Sequence, residues 1–412
     1  MIAINKFSLD NGLKVVHVEN KNVSMVIVNT LYNVGSKDEK REKTGFAHLF
    51  EHLMFGGTPN VPNYDEPVQK AGGENNAWTS NDYTNYYVAL PANNAEVGFW
   101  LESDRMRGLS FTQKSLDVQR HVVCEEFKQR CLNQPYGDLY HLIRKMCFEP
   151  SHSYSWPTIG LALEHIEQAT LEDVKSFFYT HYAPNNAILC VVGNISLEET
   201  KRLTQKWYGS IPVREIAPRI IPNVPVQTKP QFMEVERDVP ATMIFKTYHT
   251  AKRMASDFFV SDLVSDVLGN GASSRLKQRL VKDRRIFTDA SASVSGDIEA
   301  GLFHINGTFT EQTTFEQANH AFDDTIEELK TQLIPEYELE KLKNKYEANQ
   351  LACNMVVLDL ASDLAYYELL GDANMINTEI ENYRSVTSEE VRSYAQRTFT
   401  EENCSTLYYK KK

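Results

Sequence analysis

Apolar positions in the first thirty residues fall into short, strand-like runs. Phe7–Leu9 and Leu13–Val18 flank Asp10-Asn11-Gly12, and Asn-Gly between apolar runs is the strongest short-range hairpin signal. Val23–Tyr32 follows as a strongly apolar strand. The period then lengthens, and apolar residues three and four apart predict helices from near Thr44, over 95–107 and over 114–130. Thr170-Leu171-Glu172-Asp173 starts a further helix with Thr170 as its N-cap, and that helix ends before Pro184. Ala187–Val192 reads as a buried strand closed by Gly193-Asn194, after which Ser196-Leu197-Glu198-Glu199 has the form of a capping box.

Five prolines (212, 218, 222, 225 and 230) then interrupt the pattern. Proline removes a helix donor and fixes φ, so this stretch is expected to be an extended linker. A second α+β set follows: a strand over 242–248, a helix over 256–268, strands around 288–310, and helices over 312–332 and 336–370. The two sets share a register. Thr170-Leu-Glu-Asp-Val-Lys-Ser-Phe aligns with Thr387-Ser-Glu-Glu-Val-Arg-Ser-Tyr, and Asn186-Ala-Ile-Leu with Asn403-Cys-Ser-Thr, both at an offset of 217 residues. A helix-then-strand unit recurring at one offset implies two copies of one α+β domain. The expected boundaries are 1–211 and 231–412, with the linker at 212–230.

Composition narrows the function. A chain of 412 residues is long enough for two cores. Its net charge of −12 argues against a nucleic-acid binder, which carries a basic footprint. Six cysteines without a C-x-x-C pair read as reduced thiols. The N-terminus shows no basic-then-apolar leader, and no run of about 18 apolar residues occurs. A cytoplasmic protein that makes no use of a membrane is the expectation, or a periplasmic one if a leader has been removed.

Against this ordinary background one string carries chemistry: His48-Leu49-Phe50-Glu51-His52. On a helix, positions i and i+4 leave one face a turn apart, so two imidazoles can reach one Zn²⁺. Glu51 sits beside that face, placed to act on a water as general base. The order H-x-x-E-H is a metallopeptidase signature. A catalytic zinc needs a third protein ligand. The segment Gln119–Phe127 offers two adjacent acids, Glu125 and Glu126, between which spacing alone does not choose.

The zinc string with Leu53–Thr58 after it, and the R-x-V-V-x-E-E segment at 120–126, resemble the pitrilysin-type inverzincins, the metallopeptidases that include the mitochondrial processing peptidase and insulinase. Gly72–Thr79, Trp156–Gly160, Tyr182–Asn194 and Leu268–Leu276 fit the same pattern, so the likeness runs nearly end to end. It implies two homologous α/β sandwich domains with a mixed sheet packed by helices. It also implies a zinc endopeptidase cutting peptides or unfolded segments in a closed chamber, with one Zn²⁺ per chain. By position the ligands become His48, His52 and Glu126, with Glu51 the base. Asn76, Ala77, Trp78 and Thr79 become an edge strand that takes substrate by β-augmentation. Phe55 becomes an apolar wall beside the cut. The family usually places an acid where this chain has Gln119, which leaves Gln119 and Glu125 as candidates for outer support.

Self-sufficient relatives carry an Arg and a Tyr where this chain has Val281 and Thr288. The resemblance therefore points to the zinc-bearing member of a heterodimer whose zinc-less homologous partner supplies that pair. A homodimer is the alternative assembly, and a non-catalytic scaffold subunit is the alternative function.

Overall fold

A computed structural model describes the whole chain apart from Ala217 and Ile220. Contacts gather the chain into two compact units. The first comprises Met1–Leu132, Trp156–Ile221 and Leu351–Thr378; the second comprises Asn133–Ser155, Pro222–Gln350 and Glu379–Lys412. The change at 221/222 falls inside the expected linker. Two segments depart from a simple division into halves, since 133–155 joins the second unit and 351–378 the first.

The first unit is built on a six-stranded mixed sheet from β1 (Asn5–Ser8), β2 (Lys14–Glu19), β3 (Met25–Tyr32), β4 (Glu74–Thr79), β5 (Thr84–Pro91) and β6 (Ala187–Gly193). Its order is β1-β2-β6-β3-β5-β4, with β2 parallel to β6 and the other pairs antiparallel. The predicted hairpin is β1–β2, and Gly12 takes the left-handed φ of +82° that its turn requires. Alternate residues of β3 serve two cores. Val26, Val28 and Tyr32 face helices 46–53, 95–107, 113–127 and 171–181, while Ile27 and Leu31 face helix 357–370 through Leu360 and Leu364. Covering both faces explains why Val23–Tyr32 reads as a continuous apolar run rather than an alternating one.

The second unit repeats the scheme with β7 (Gln231–Arg237), β8 (Met243–Thr250), β9 (Phe287–Val294), β10 (Gly301–Phe309) and β11 (Cys404–Lys411), ordered β7-β11-β8-β10-β9. β7 runs parallel to β11, as β2 does to β6. Helices 257–268, 315–331 and 388–398 pack one face, and helix 139–147 with Phe148 and Tyr154 packs the other. The repeat is visible atom by atom. Thr170 and Thr387 each close a complete capping box, with Asp173 and Glu390. Asn186 Nδ2 donates to the carbonyl of His181 at 2.8 Å, and Asn403 Nδ2 to that of Thr398 at 2.9 Å.

Three expectations need correction. The single helix expected over 336–370 is two, Glu336–Cys353 and Val357–Leu370, parted by a turn at 354–356, and only the second packs on the first sheet. Both halves are helical, so their pattern reads as one. The helix expected to reach 130 is α-helical over Gln113–Phe127 and continues as a π-helix over Lys128–Leu132. At Ser196 only the hydroxyl half of the capping box forms, to the Glu199 amide. Among the described residues, no helix is long and apolar enough to cross a membrane.

Candidate metal and active site

The helix that carries the string, Phe46–Leu53, buries Phe46, Leu49, Phe50 and Leu53 in the first core, so the imidazoles of His48 and His52 emerge together from its other side. The rings lie 4.9 Å apart, edge to face. Gly45 starts the helix at φ +84°, where an added Cβ would lie 2.8 Å from the carbonyl oxygen of Ile159. Only glycine fits that left-handed, crowded position.

A residue that sequence reasoning missed supports this helix start. Glu39 is buried, and its two oxygens accept from the Gly45 and Ala47 amides at 2.9 and 2.8 Å and from Trp156 Nε1 at 3.0 Å. Two otherwise unpaired helix N–H groups are thereby satisfied. Burial pushes the Glu39 carboxyl up to about 8, against the pull of these donors. The available signal was an acid six residues before the glycine that opens the helix carrying the H-x-x-E-H string.

Helix Gln113–Phe127 buries Leu116, Val123, Cys124 and Phe127, which aims Glu126 at the imidazoles. Its Oε2 lies 3.6 Å from His48 Nε2 and 3.3 Å from His52 Nε2. Donors at about 2.0–2.1 Å from a tetrahedral Zn²⁺ would stand about 3.3 Å from one another, so the triad fits that ion. It is also the one group of three or more His, Cys, Asp or Glu side chains among the described residues that could hold a metal. Burial holds His48 down to about 4, and therefore neutral, as a ligand must be. His48 Nδ1 is buried without a hydrogen-bond partner among the described residues.

Of the two adjacent acids, Glu125 turns outward and pairs with Lys128 at 2.8 Å. Gln119 is half-buried and makes no hydrogen bond to either histidine among the described residues. The outer contact to Glu126 comes instead from Arg130, whose Nη2 lies 2.9 Å from Oε1. Its signal was the i,i+4 acid–base spacing. Hydrogen bonding from His52 is the largest influence holding the Glu126 carboxyl below its usual range.

Glu51 is largely enclosed, and burial raises its pKa. Its Oε2 accepts from Thr79 Oγ1 at 2.6 Å. Thr79 ends β4, the outermost strand of its sheet, which also holds Asn76, Ala77 and Trp78. Phe55 packs between Tyr64 and Tyr86, with the Arg105 guanidinium 5.3 Å from its ring centre. In the second unit, Val281 packs on the core and Thr288 Oγ1 donates to the Thr308 carbonyl. The nearby Arg279 and Arg284 are paired with Glu328 and Asp324.

The profile described as Insulinase (Peptidase family M16) matches residues 14–135, and that described as Peptidase M16 inactive domain matches 168–346. Together they span well over half of the chain. Over 411 residues the chain is 28% identical to the zinc protease PqqE of Helicobacter pylori, covering 98% of this chain and 92% of that one. It is 25% identical over 403 residues to the uncharacterized zinc protease YmxG of Bacillus subtilis, covering 97% and 96%. Among solved structures, a protease from Helicobacter pylori superposes with a TM-score of 0.92 at 28% identity over all of both chains. A putative M16-like peptidase from Alicyclobacillus acidocaldarius gives 0.85 at 17% identity, covering 100% and 99%. The chain belongs to the M16 peptidase family, the insulinase- and pitrilysin-like metalloproteases.

Proposed function

We propose that the chain is a zinc-dependent endopeptidase acting on peptides or unfolded segments. The approach of Glu126 Oε2 to both imidazole Nε2 atoms carries this reading. His48, His52 and Glu126 hold one Zn²⁺, which when bound lowers the pKa of water and polarises the scissile carbonyl. Glu51 takes the proton from the attacking water and hands it to the leaving amine, one positioned carboxylate serving both transfers. Exposed main-chain groups of Asn76–Thr79 hold the peptide as an added strand, which gives affinity with little demand on sequence. Phe55 supplies an apolar contact beside the cut.

The second unit offers no Arg/Tyr pair at 281 and 288, and this supports a zinc-less homologous partner that brings one. The test is Glu51→Gln with its zinc content measured. Zinc should stay at about one per chain while peptide hydrolysis falls about 10²–10⁴-fold. A native chain that holds no zinc after gentle purification would favour the scaffold reading instead. Full activity of the native chain alone would remove the partner.

A further inference from the structure

Thr79 stands where the strand that would receive substrate meets the residue that would act as base. The main-chain direction along β4 follows from one contact. The Ala77 amide is taken by the side-chain Oδ1 of its neighbour Asn76 at 2.8 Å, so it points away from β5 and toward the open edge. In an antiparallel ladder the N–H and C=O of a residue point to the same side, and the direction alternates from residue to residue. Ala77 and Thr79 therefore both turn their main chain to the open edge. Side chains two apart share a face. Here that face looks toward the His48 helix: Ala77 packs on the first core and the Thr79 hydroxyl reaches Glu51 Oε2. Glu51 Oε1 has no hydrogen bond among the described residues.

We infer that Thr79 is a positioning residue. Its hydroxyl fixes the Glu51 carboxylate, leaving Oε1 free for the water's proton, while its main chain receives the peptide. Base and bound strand are thus held by one residue. A peptide that docks along 76–79 is placed in register with the base by the same backbone that orients it. This role rests on the peptidase reading.

The experiment compares Thr79→Val, which keeps the β-branched shape without the hydroxyl, with Thr79→Ser, which keeps the hydroxyl. Expected for Thr79→Val are about one zinc per chain, a KM close to native and a kcat lower by about 10–100-fold, the size of loss that removing an outer hydrogen bond at a metal site brings. Thr79→Ser should recover most of kcat. In a crystal of metal-free Thr79→Val the Glu51 carboxylate should leave its native position. A kcat within about twofold of native, a rise in KM alone, or a serine variant as slow as the valine one overturns the inference. So does a Glu51 that stays in place. Loss of activity in Glu51→Gln but not in Thr79→Val leaves the peptidase standing and removes only the role of Thr79. If the native zinc-loaded chain with its partner cleaves nothing, the peptidase reading falls, and the Glu51 position still decides for or against Thr79.

Discussion

Glu126 Oε2 lies 3.3 Å from His52 Nε2, although the whole β4–β5 hairpin and the helices 65–70 and 95–107 intervene between the two in the chain. The two adjacent acids should therefore behave differently. Glu126→Gln removes a charged oxygen donor and should lower bound zinc from about one per chain to below about 0.2 after dialysis. Glu125→Gln loses only an exposed contact to Lys128 and should keep its metal. Equal zinc in the two variants would place the third ligand elsewhere.

Glu39 gives a pH dependence whose sign follows from its burial. Its carboxyl is raised from about 4.5 in the unfolded chain to about 8 in the folded one, chiefly by burial. The folded state then holds a proton that the unfolded state releases. That stabilisation is full below about pH 4.5 and is lost as pH rises toward 8, by about 1.4 kcal/mol for each pH step of one. Glu39→Gln cannot titrate. It also turns an NH2 toward one of two amides that now meet oxygen, so it should be the weaker protein at pH 5. The gap between native and variant urea midpoints should narrow steadily from pH 5 to pH 8. A gap that is constant or that widens would contradict a raised Glu39 carboxyl.

The shared helix face of His48 and His52, the β1–β2 hairpin and the repeat were legible because each is local. His48 and His52 share a helix face by arithmetic, Asp10-Asn11-Gly12 encodes a turn, and the matched Thr170 and Thr387 caps sit at one offset. What escaped depends on distant contacts. Glu39 looks like any acid in a charged stretch until its oxygens are seen on Gly45 and Ala47. Spacing left Glu125 and Glu126 equivalent, and only the burial of Val123, Cys124 and Phe127 decides which one turns inward. The fate of 357–370 was hidden for the same reason. An amphipathic pattern says that a face must be buried, not which sheet will bury it.

Asn186 and Asn403 offer a test of the repeat at equal positions. Asn186 Nδ2 donates to the carbonyls of Asn33 and His181, and Asn403 Nδ2 to those of His249 and Thr398. Each amide ties the end of a helix and the end of a central strand to the start of the next strand. Aspartate has the same size but replaces the two-proton donor with acceptors facing carbonyls. Asn186→Asp and Asn403→Asp should each cost about 2 kcal/mol, measured by chemical unfolding. A negligible effect at one position would mean that the two copies no longer share this device.

Arg105 and Glu102 are both fully buried and ion-paired, and Tyr64 OH donates to Glu102 Oε1 at 2.7 Å. The guanidinium lies 4.6 and 4.4 Å from the Tyr64 and Tyr86 ring centres, under the Phe55 side chain. Removing one charge strands the other in a place water does not reach, so Arg105→Met should cost about 3–5 kcal/mol. Adding Glu102→Gln removes the stranded charge and keeps an oxygen for Tyr64, so the double variant should recover much of that loss. Urea unfolding of the two singles and the double gives the coupling directly. Additive losses would show that the aromatic packing, and not the pairing of charges, holds the floor beneath Phe55.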